Sequence, residues 1–314
     1  MQQRVIIIAG PTASGKSALA IDVAREFSGL IINADSMQVY RELNVLSARP
    51  PMRDLDQAPH RLYGVLAADD PCSVGRWLDL ALGEIKAAWA DGRLPLVVGG
   101  TGLYLKALLE GLAPVPHVPA QFREQATALH QRLGGEAFHE QLASLDPEMA
   151  ARLPAGDTQR LIRAYEVALA TGTSLSQWQK KHPAKPPLNA AFCVLKLSPA
   201  REDLYEGING RFAWMLENGG LEEAQSFDEM GFDPNLPAMK AVGVPEMRRY
   251  LKGQCDLQTA VEEAQRATRQ FAKRQMTWLR NQLAADLDLN AQYSESLRQE
   301  IFSFVRQFML TNPP

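Results

Sequence analysis

Residues 5–17 read Val-Ile-Ile-Ile-Ala-Gly-Pro-Thr-Ala-Ser-Gly-Lys-Ser, and this stretch limits the fold more than any other. Val5 to Ala9 is a short apolar run rich in β-branched residues, the composition of a strand buried on both faces of a parallel sheet. Gly10, Pro11, Thr12, Ala13, Ser14, Gly15, Lys16 and Ser17 then fit G-x-x-x-x-G-K-[ST], a loop that cradles phosphate. Gly10 and Gly15 admit backbone angles that a Cβ would forbid, so successive N–H groups can turn toward one phosphate. Lys16 brings a point charge to the outer phosphate, and the Ser17 hydroxyl can enter the shell of a Mg²⁺ ion. A helix begins near Lys16, aims its positive end at the anion, and packs Leu19, Val23 and Phe27 on the sheet before ending at Gly29. A chance match in a loop would lack both the strand before and the helix after. These residues therefore predict a site for a phosphorylated ligand.

A second buried strand over residues 30–33 runs into Ala34-Asp35-Ser36-Met37-Gln38-Val39-Tyr40. Ligands of open α/β sheets lie outside the carboxyl ends of the strands, which sets Asp35 beside the phosphate loop. A helix N-cap is the alternative use of an Asp here. Residues 49–71, with Pro50, Pro51, Pro59 and Pro71, predict a covering loop in which His60 and Arg61 are either solvated or in contact with ligand. Trp77, Leu78, Ala81, Leu82, Ile85 and Trp89 trace a helix, and residues 94–98 form a third strand that continues as Gly99-Gly100-Thr101-Gly102-Leu103-Tyr104. A nucleoside triphosphatase usually ends such a strand with an acid that holds magnesium. This strand offers the Thr101 hydroxyl and no carboxylate, which leaves Asp35 as the candidate charge near a metal.

Proline clusters at 111–119 and 183–187 bracket helical periodicity over 121–133, 137–145 and 158–171, without a convincing strand. A strand over 192–197 resumes the sheet, and helices follow over 202–218, 246–251 and from 257 to about 283. The fold class expected is α/β: a P-loop NTPase-like parallel sheet core from residues 1–115 and 190–314 with a helical C-terminal part, and an all-helical insertion domain over 116–189. The last long helix carries Arg266, Arg269, Lys273, Arg274 and Arg280, with no acid between Glu263 and Asp286. Arg266, Arg269, Lys273 and Arg280 share one helical face, opposite Phe271, Ala272, Trp278 and Leu279. With a net charge of −3 the chain has no global attraction for a polyanion, so this face is either solvated or a local anion contact.

At 46% hydrophobic and 22% charged residues the composition excludes a disordered chain. Cys72, Cys193 and Cys255 are far apart and pair with no second ligand, which argues against a disulfide framework or a zinc site and fits a reducing cytosol. The N-terminal apolar run is too short for a signal peptide, and no stretch approaches a membrane span. A cytoplasmic protein is expected.

The combination of Gly10–Ser17, Asn33-Ala-Asp-Ser-Met-Gln-Val-Tyr40, Gly99-Gly-Thr-Gly-Leu-Tyr104, Asp157-Thr-Gln-Arg160 and Thr268-Arg-Gln-Phe-Ala-Lys-Arg-Gln275 resembles the bacterial tRNA dimethylallyltransferases, in order and over essentially the whole chain. Arg49, Thr158 and Val244 depart from the residues frequent in that family, but none removes a charged group from the proposed centre. The resemblance implies transfer of a dimethylallyl group from dimethylallyl diphosphate to N6 of the adenosine just 3′ of the anticodon. It further implies that the phosphate loop, with Mg²⁺ at Ser17 and a second contact from Arg211, holds the diphosphate leaving group. Asp35 would take the amine proton, assisted by Thr101. By the same resemblance tRNA would meet Asp35, Ser36, Met37, Gln38 and Thr101 at the reacting base. Arg123, Gln159, Arg160, Leu161, Ile162 and Arg163 would grip the anticodon stem-loop, and Arg266, Arg269, Lys273 and Arg274 the backbone. A monomer without a membrane partner is expected. Three alternatives remain: a small-molecule kinase that binds ATP, a prenyltransferase acting on free adenine nucleotide, and a non-catalytic RNA binder. The helical insertion and the basic face favour an RNA acceptor over a free nucleotide.

Overall fold

In the computed structural model, which describes residues 2–311, the apolar run forms β1 (Arg4–Ala9), fully buried from Val5 to Ala9. The loop that follows enters α1 (Lys16–Glu26), β2 (Gly29–Asn33), α2 (Met52–Leu55), β3 (His60–Arg61), α3 (Val74–Ala90), β4 (Leu94–Gly99) and α4 (Gly102–Glu110). Four helices come next: α5 (Ala120–Leu145), α6 (Pro147–Arg152), α7 (Thr158–Thr171) and α8 (Leu175–Lys181). The chain then returns through β5 (Ala191–Leu197), α9 (Arg201–Glu217), α10 (Gly220–Glu229), α11 (Val244–Leu251), α12 (Leu257–Gln282), β6 (Leu287–Leu289) and α13 (Arg298–Leu310). The six strands are all parallel, in the order β3-β2-β4-β1-β5-β6. Ile7 of β1 is in register with Val97 of β4 on one side and Val194 of β5 on the other.

One compact unit holds this sheet, from the N-terminus to Leu109 and again from Pro187 onward. Leu19 and Val23 of α1, with Ile301 and Val305 of α13, bury Ile6, Ile8 and Leu96 of the strands. Trp77 of α3 stacks on Tyr104 of α4 with ring centroids 4.4 Å apart, and its Nε1–H donates to the Asn33 carbonyl oxygen at 2.8 Å. The first helix stops sooner than its sequence suggests. Ser28, not Gly29, takes the left-handed turn (φ 53°), and Gly29 opens β2 because a Cβ there would lie 2.7 Å from Leu96 Cδ1. His60 and Arg61, expected in a loop, form the short edge strand β3 beside Ile31 and Ile32.

The second unit, Glu110–Pro186, is entirely helical among the described elements, where the sequence sets the limits at 116 and 189. The two helices expected over 121–133 and 137–145 are the arms of α5, broken where Gly134 leaves helical geometry (φ 77°, ψ 171°). Phe138 and Leu142 of α5 pack against Leu161 and Ala164 of α7. Asp146 is fully buried and satisfied: it accepts from Met149 N–H at 3.0 Å, Ser176 N–H at 3.0 Å and Ser176 Oγ at 2.6 Å. No helix among the described residues is long and apolar enough to cross a membrane.

Candidate active site

The phosphate loop sits at the carboxyl end of β1, where the parallel sheet directs its ligands. Gly15 caps α1 in the left-handed region (φ 85°), as the loop chemistry requires. The other left-handed residue is Ala13 (φ 64°) rather than Gly10. Gly10 is needed for space instead, since a Cβ there would lie 2.6 Å from the buried Ser14 Oγ. Lys16 Nζ donates to the Pro11 carbonyl at 3.2 Å, folding the ammonium over its own loop. Burial pushes its pKa down to about 8, against the pull of the Asp35 carboxylate, and Arg211 adds to the push. Ser17 is exposed, with its hydroxyl unpaired among the described residues.

Asp35 lies just past the carboxyl end of β2, and it caps no helix. Its Oδ1 accepts from Met37 N–H at 2.9 Å in a turn, and its own N–H donates to Asn33 Oδ1 at 2.8 Å. Thr101 is tied to the same segment: its Oγ1 accepts from Ser36 N–H at 3.0 Å, and its N–H donates to the Ala34 carbonyl at 3.3 Å. The two strand ends touch because Gly99 has no side chain; a Cβ there would collide with Ala34 O. Gln38 spends its amide on the carbonyls of Ser47 and Ala48, at 2.9 and 2.8 Å.

Helices α9 and α12 complete the site from the far end of the chain. Arg211 of α9 is held by Thr12 Oγ1; burial lowers its pKa and the Asp35 carboxylate opposes that shift. Gln275 of α12, buried, accepts from Thr12 N–H at 2.8 Å and donates to the Gly100 carbonyl at 3.0 Å, so one amide spans the phosphate loop and the turn after β4. Between these elements is a cavity of about 260 Å³. Its lining includes the polar Thr12, Asp35, Arg211, Lys240 and Arg274 and the apolar Leu46, Ile208, Phe212, Met215 and Phe271. Cationic side chains and a carboxylate thus share one cavity with aliphatic and aromatic side chains.

The family model described as IPP transferase matches residues 38–282, and the one described as Isopentenyl transferase matches residues 3–67. The chain belongs to the tRNA dimethylallyltransferase family. It is 49% identical to a tRNA dimethylallyltransferase of Paramagnetospirillum magneticum over 98% of each chain. With the Rhodospirillum rubrum enzyme of that name it is 51% identical, over 98% of this chain and 95% of the other. Among solved structures, the tRNA isopentenylpyrophosphate transferase of Bacillus halodurans superposes with a TM-score of 0.70 at 30% identity, covering 98% of this chain and 96% of that one. A eukaryotic dimethylallyltransferase acting on tRNA superposes with a TM-score of 0.85 at 25% identity, over 99% of this chain and 80% of the other.

Several residues of this family member take places that its motifs alone did not reveal. Gln275 belongs to a recognised block, yet its bond to Thr12 is visible only in three dimensions. Glu223 of α10 accepts the backbone N–H groups of Asn44, Val45 and Leu46 at 2.8–2.9 Å, fixing the loop that carries Leu46 into the cavity. Behind the phosphate loop, Tyr293 N–H and the Gln292 amide donate to the carbonyls of Ser14 and Ala13, at 3.1 and 2.7 Å. The basic residues of α12 divide by destination. Arg274 joins the cavity, Arg269 donates to Asn209 Oδ1 at 2.7 Å, and exposed Arg266 makes no hydrogen bond or ion pair among the described residues. Within the helical unit, Gln159, Arg160 and Arg163 reach the surface while Leu161 and Ile162 are buried in the core. Arg163 and Arg123 both lean on the buried Glu166, at 2.7 and 3.6 Å.

Proposed function

We propose that the chain transfers a dimethylallyl group from dimethylallyl diphosphate to N6 of the adenosine on the 3′ side of the anticodon in tRNA, releasing diphosphate. The cavity that brings Thr12 of the phosphate loop, Arg211 and Asp35 together with apolar side chains carries this reading. A donor with an anionic head and a branched hydrocarbon tail needs both kinds of lining. A phosphoryl donor such as ATP needs no apolar wall, and β4 lacks the strand-end acid that would hold its metal. The relatives named for tRNA supply the class of acceptor.

In this reading the loop N–H groups, Lys16 and Arg211 hold the diphosphate and stabilise the charge that grows on it as it leaves. Ser17 suits a Mg²⁺ ion, because its hydroxyl is exposed and unpaired while no cluster of three acidic, His or Cys side chains forms a protein cage among the described residues. Ser17 would hold such an ion against the diphosphate, where it would supply charge neutralisation. The target adenosine turns out of its stack to reach the cavity. Its neutral exocyclic amine is a weak nucleophile, so a base must act as the new bond forms. The N6–C bond forms as the C–O bond to diphosphate breaks, and the amine proton passes to Asp35. Met37 N–H holds one Asp35 oxygen in place while the other has no hydrogen bond among the described residues and is available for that proton. Thr101 keeps this segment in register with the end of β4. Arg123, Gln159, Arg160 and Arg163 of the helical unit grip the anticodon stem-loop.

The test is to incubate the pure protein with unmodified tRNA and either dimethylallyl diphosphate labelled in its carbon chain or ATP labelled at its γ-phosphate. Label from the first donor should enter tRNA at the expected adenosine, with equimolar diphosphate released. Label entering from ATP instead would make the protein a kinase and overturn the reading.

A further inference from the structure

A different face of α12 lines a second cavity, of about 280 Å³, which touches the phosphate loop only at Pro11. Its walls come from the carboxyl ends of β5 and β6, the start of α9 and the last turns of α12. Four cations face it, Lys196, Arg201, Lys273 and Arg280, against the single carboxylate of Asp288. Lys196 is buried at the strand end that points ligands into the crevice, and it pairs with Asp288 at 2.8 Å. Asp288 also accepts from Ser198 Oγ at 2.7 Å, so its two oxygens are already committed. Arg201, Lys273 and Arg280 have no hydrogen bond or ion pair among the described residues. Thr277 and Asn290 add polar groups that are likewise unpaired. The acids of the first turn of α9, Glu202 and Asp203, do not line the cavity.

Three unpaired positive charges around one concavity raise the local positive potential in a chain whose net charge is −3. An anion neutralises that potential, and several cations with a hydroxyl and an amide in one lining suit the several oxygens of a phosphate. We propose that this cavity is a second phosphate-binding site, distinct from the phosphate loop. The phosphate is either a backbone group of the RNA acceptor, a source that rests on the proposed function, or a free diphosphate, a source that does not.

Two arms separate these sources, both on the full-length chain. In the first, inorganic diphosphate is titrated by calorimetry into Lys16→Ala protein, which silences the loop, and into the same protein carrying Arg201→Ala and Arg280→Ala. In the second, tRNA binding is measured against salt for the wild type and for the Arg201→Ala, Arg280→Ala pair. Residual diphosphate binding that falls at least tenfold with the pair identifies a free anion. A log–log salt slope that flattens by about one identifies an RNA phosphate. Both arginines are exposed and unpaired, so the fold should hold; Lys273→Gln provides a second variant, and a melting curve checks each. If neither diphosphate binding nor the salt slope changes in either variant, the cavity is merely solvated and the proposal fails. The diphosphate arm reads out even in a chain with no transferase activity, so its failure is separate from failure of the proposed reaction.

Discussion

The side-chain oxygen of Gln275 accepts the backbone N–H of Thr12 at 2.8 Å, joining α12 to the phosphate loop across 263 positions of sequence. The same amide donates to the Gly100 carbonyl at 3.0 Å, and a Cβ on Gly100 would collide with it. One buried side chain thus sets the distance between the loop that holds the anion and the turn that carries Thr101.

Gln275→Leu removes both bonds at nearly constant volume and leaves a buried donor and a buried acceptor without partners. The expected cost is about 1–3 kcal/mol, which is roughly 5- to 150-fold in donor affinity if it is expressed at the loop. Titration of a donor analogue, beside a melting curve, checks this. Unchanged donor affinity and unchanged melting would show that Gln275 only fills space.

The phosphate loop was legible because its chemistry is contiguous: strand, loop and helix follow one another within residues 4–26. Asp35 and Thr101 were legible by rule, since parallel strands place their carboxyl ends together. Gln275 and Glu223 were not, because a glutamine or glutamate on a polar helix reads as solvated until its distant partner is known. The edge strands β3 and β6 span only two and three residues, too few for periodicity to register. Helix α13 does carry a helical signal in its sequence, since Ile301, Val305 and Phe308 recur at helical spacing and Phe304 and Met309 pack beside them.

The pKa of Lys16, lowered to about 8 by burial, predicts a pH dependence of donor binding in the ligand-free protein. The ammonium binds the anion and the neutral amine does not. Affinity should therefore be full below about pH 8 and weaken as pH rises through that value, well below the pKa of about 10.4 of an exposed lysine. Lys16→Ala should bind weakly and show no such step. Binding curves from pH 7 to 10 decide it, and a wild-type curve flat across that range would contradict the assignment.

In the helical unit, Gly134 sits at φ 77° and ψ 171°, a region essentially closed to residues with a Cβ. A methyl group there would meet no atom within 4 Å, so Gly134→Ala changes only backbone strain. The variant should lose about 1–3 kcal/mol of stability, read by denaturant titration. A neutral result would mean that the two arms of α5 can merge into one straight helix.

Asp35 as the base of the transfer is tested directly by a single-turnover experiment. Asp35→Asn protein is saturated with tRNA and dimethylallyl diphosphate, and the rate of prenyl transfer is compared with wild type while tRNA affinity is measured separately. The rate should fall by about two to four orders of magnitude, the usual contribution of a positioned acid–base group, with tRNA affinity little changed. A near-normal single-turnover rate in that variant would contradict the mechanism.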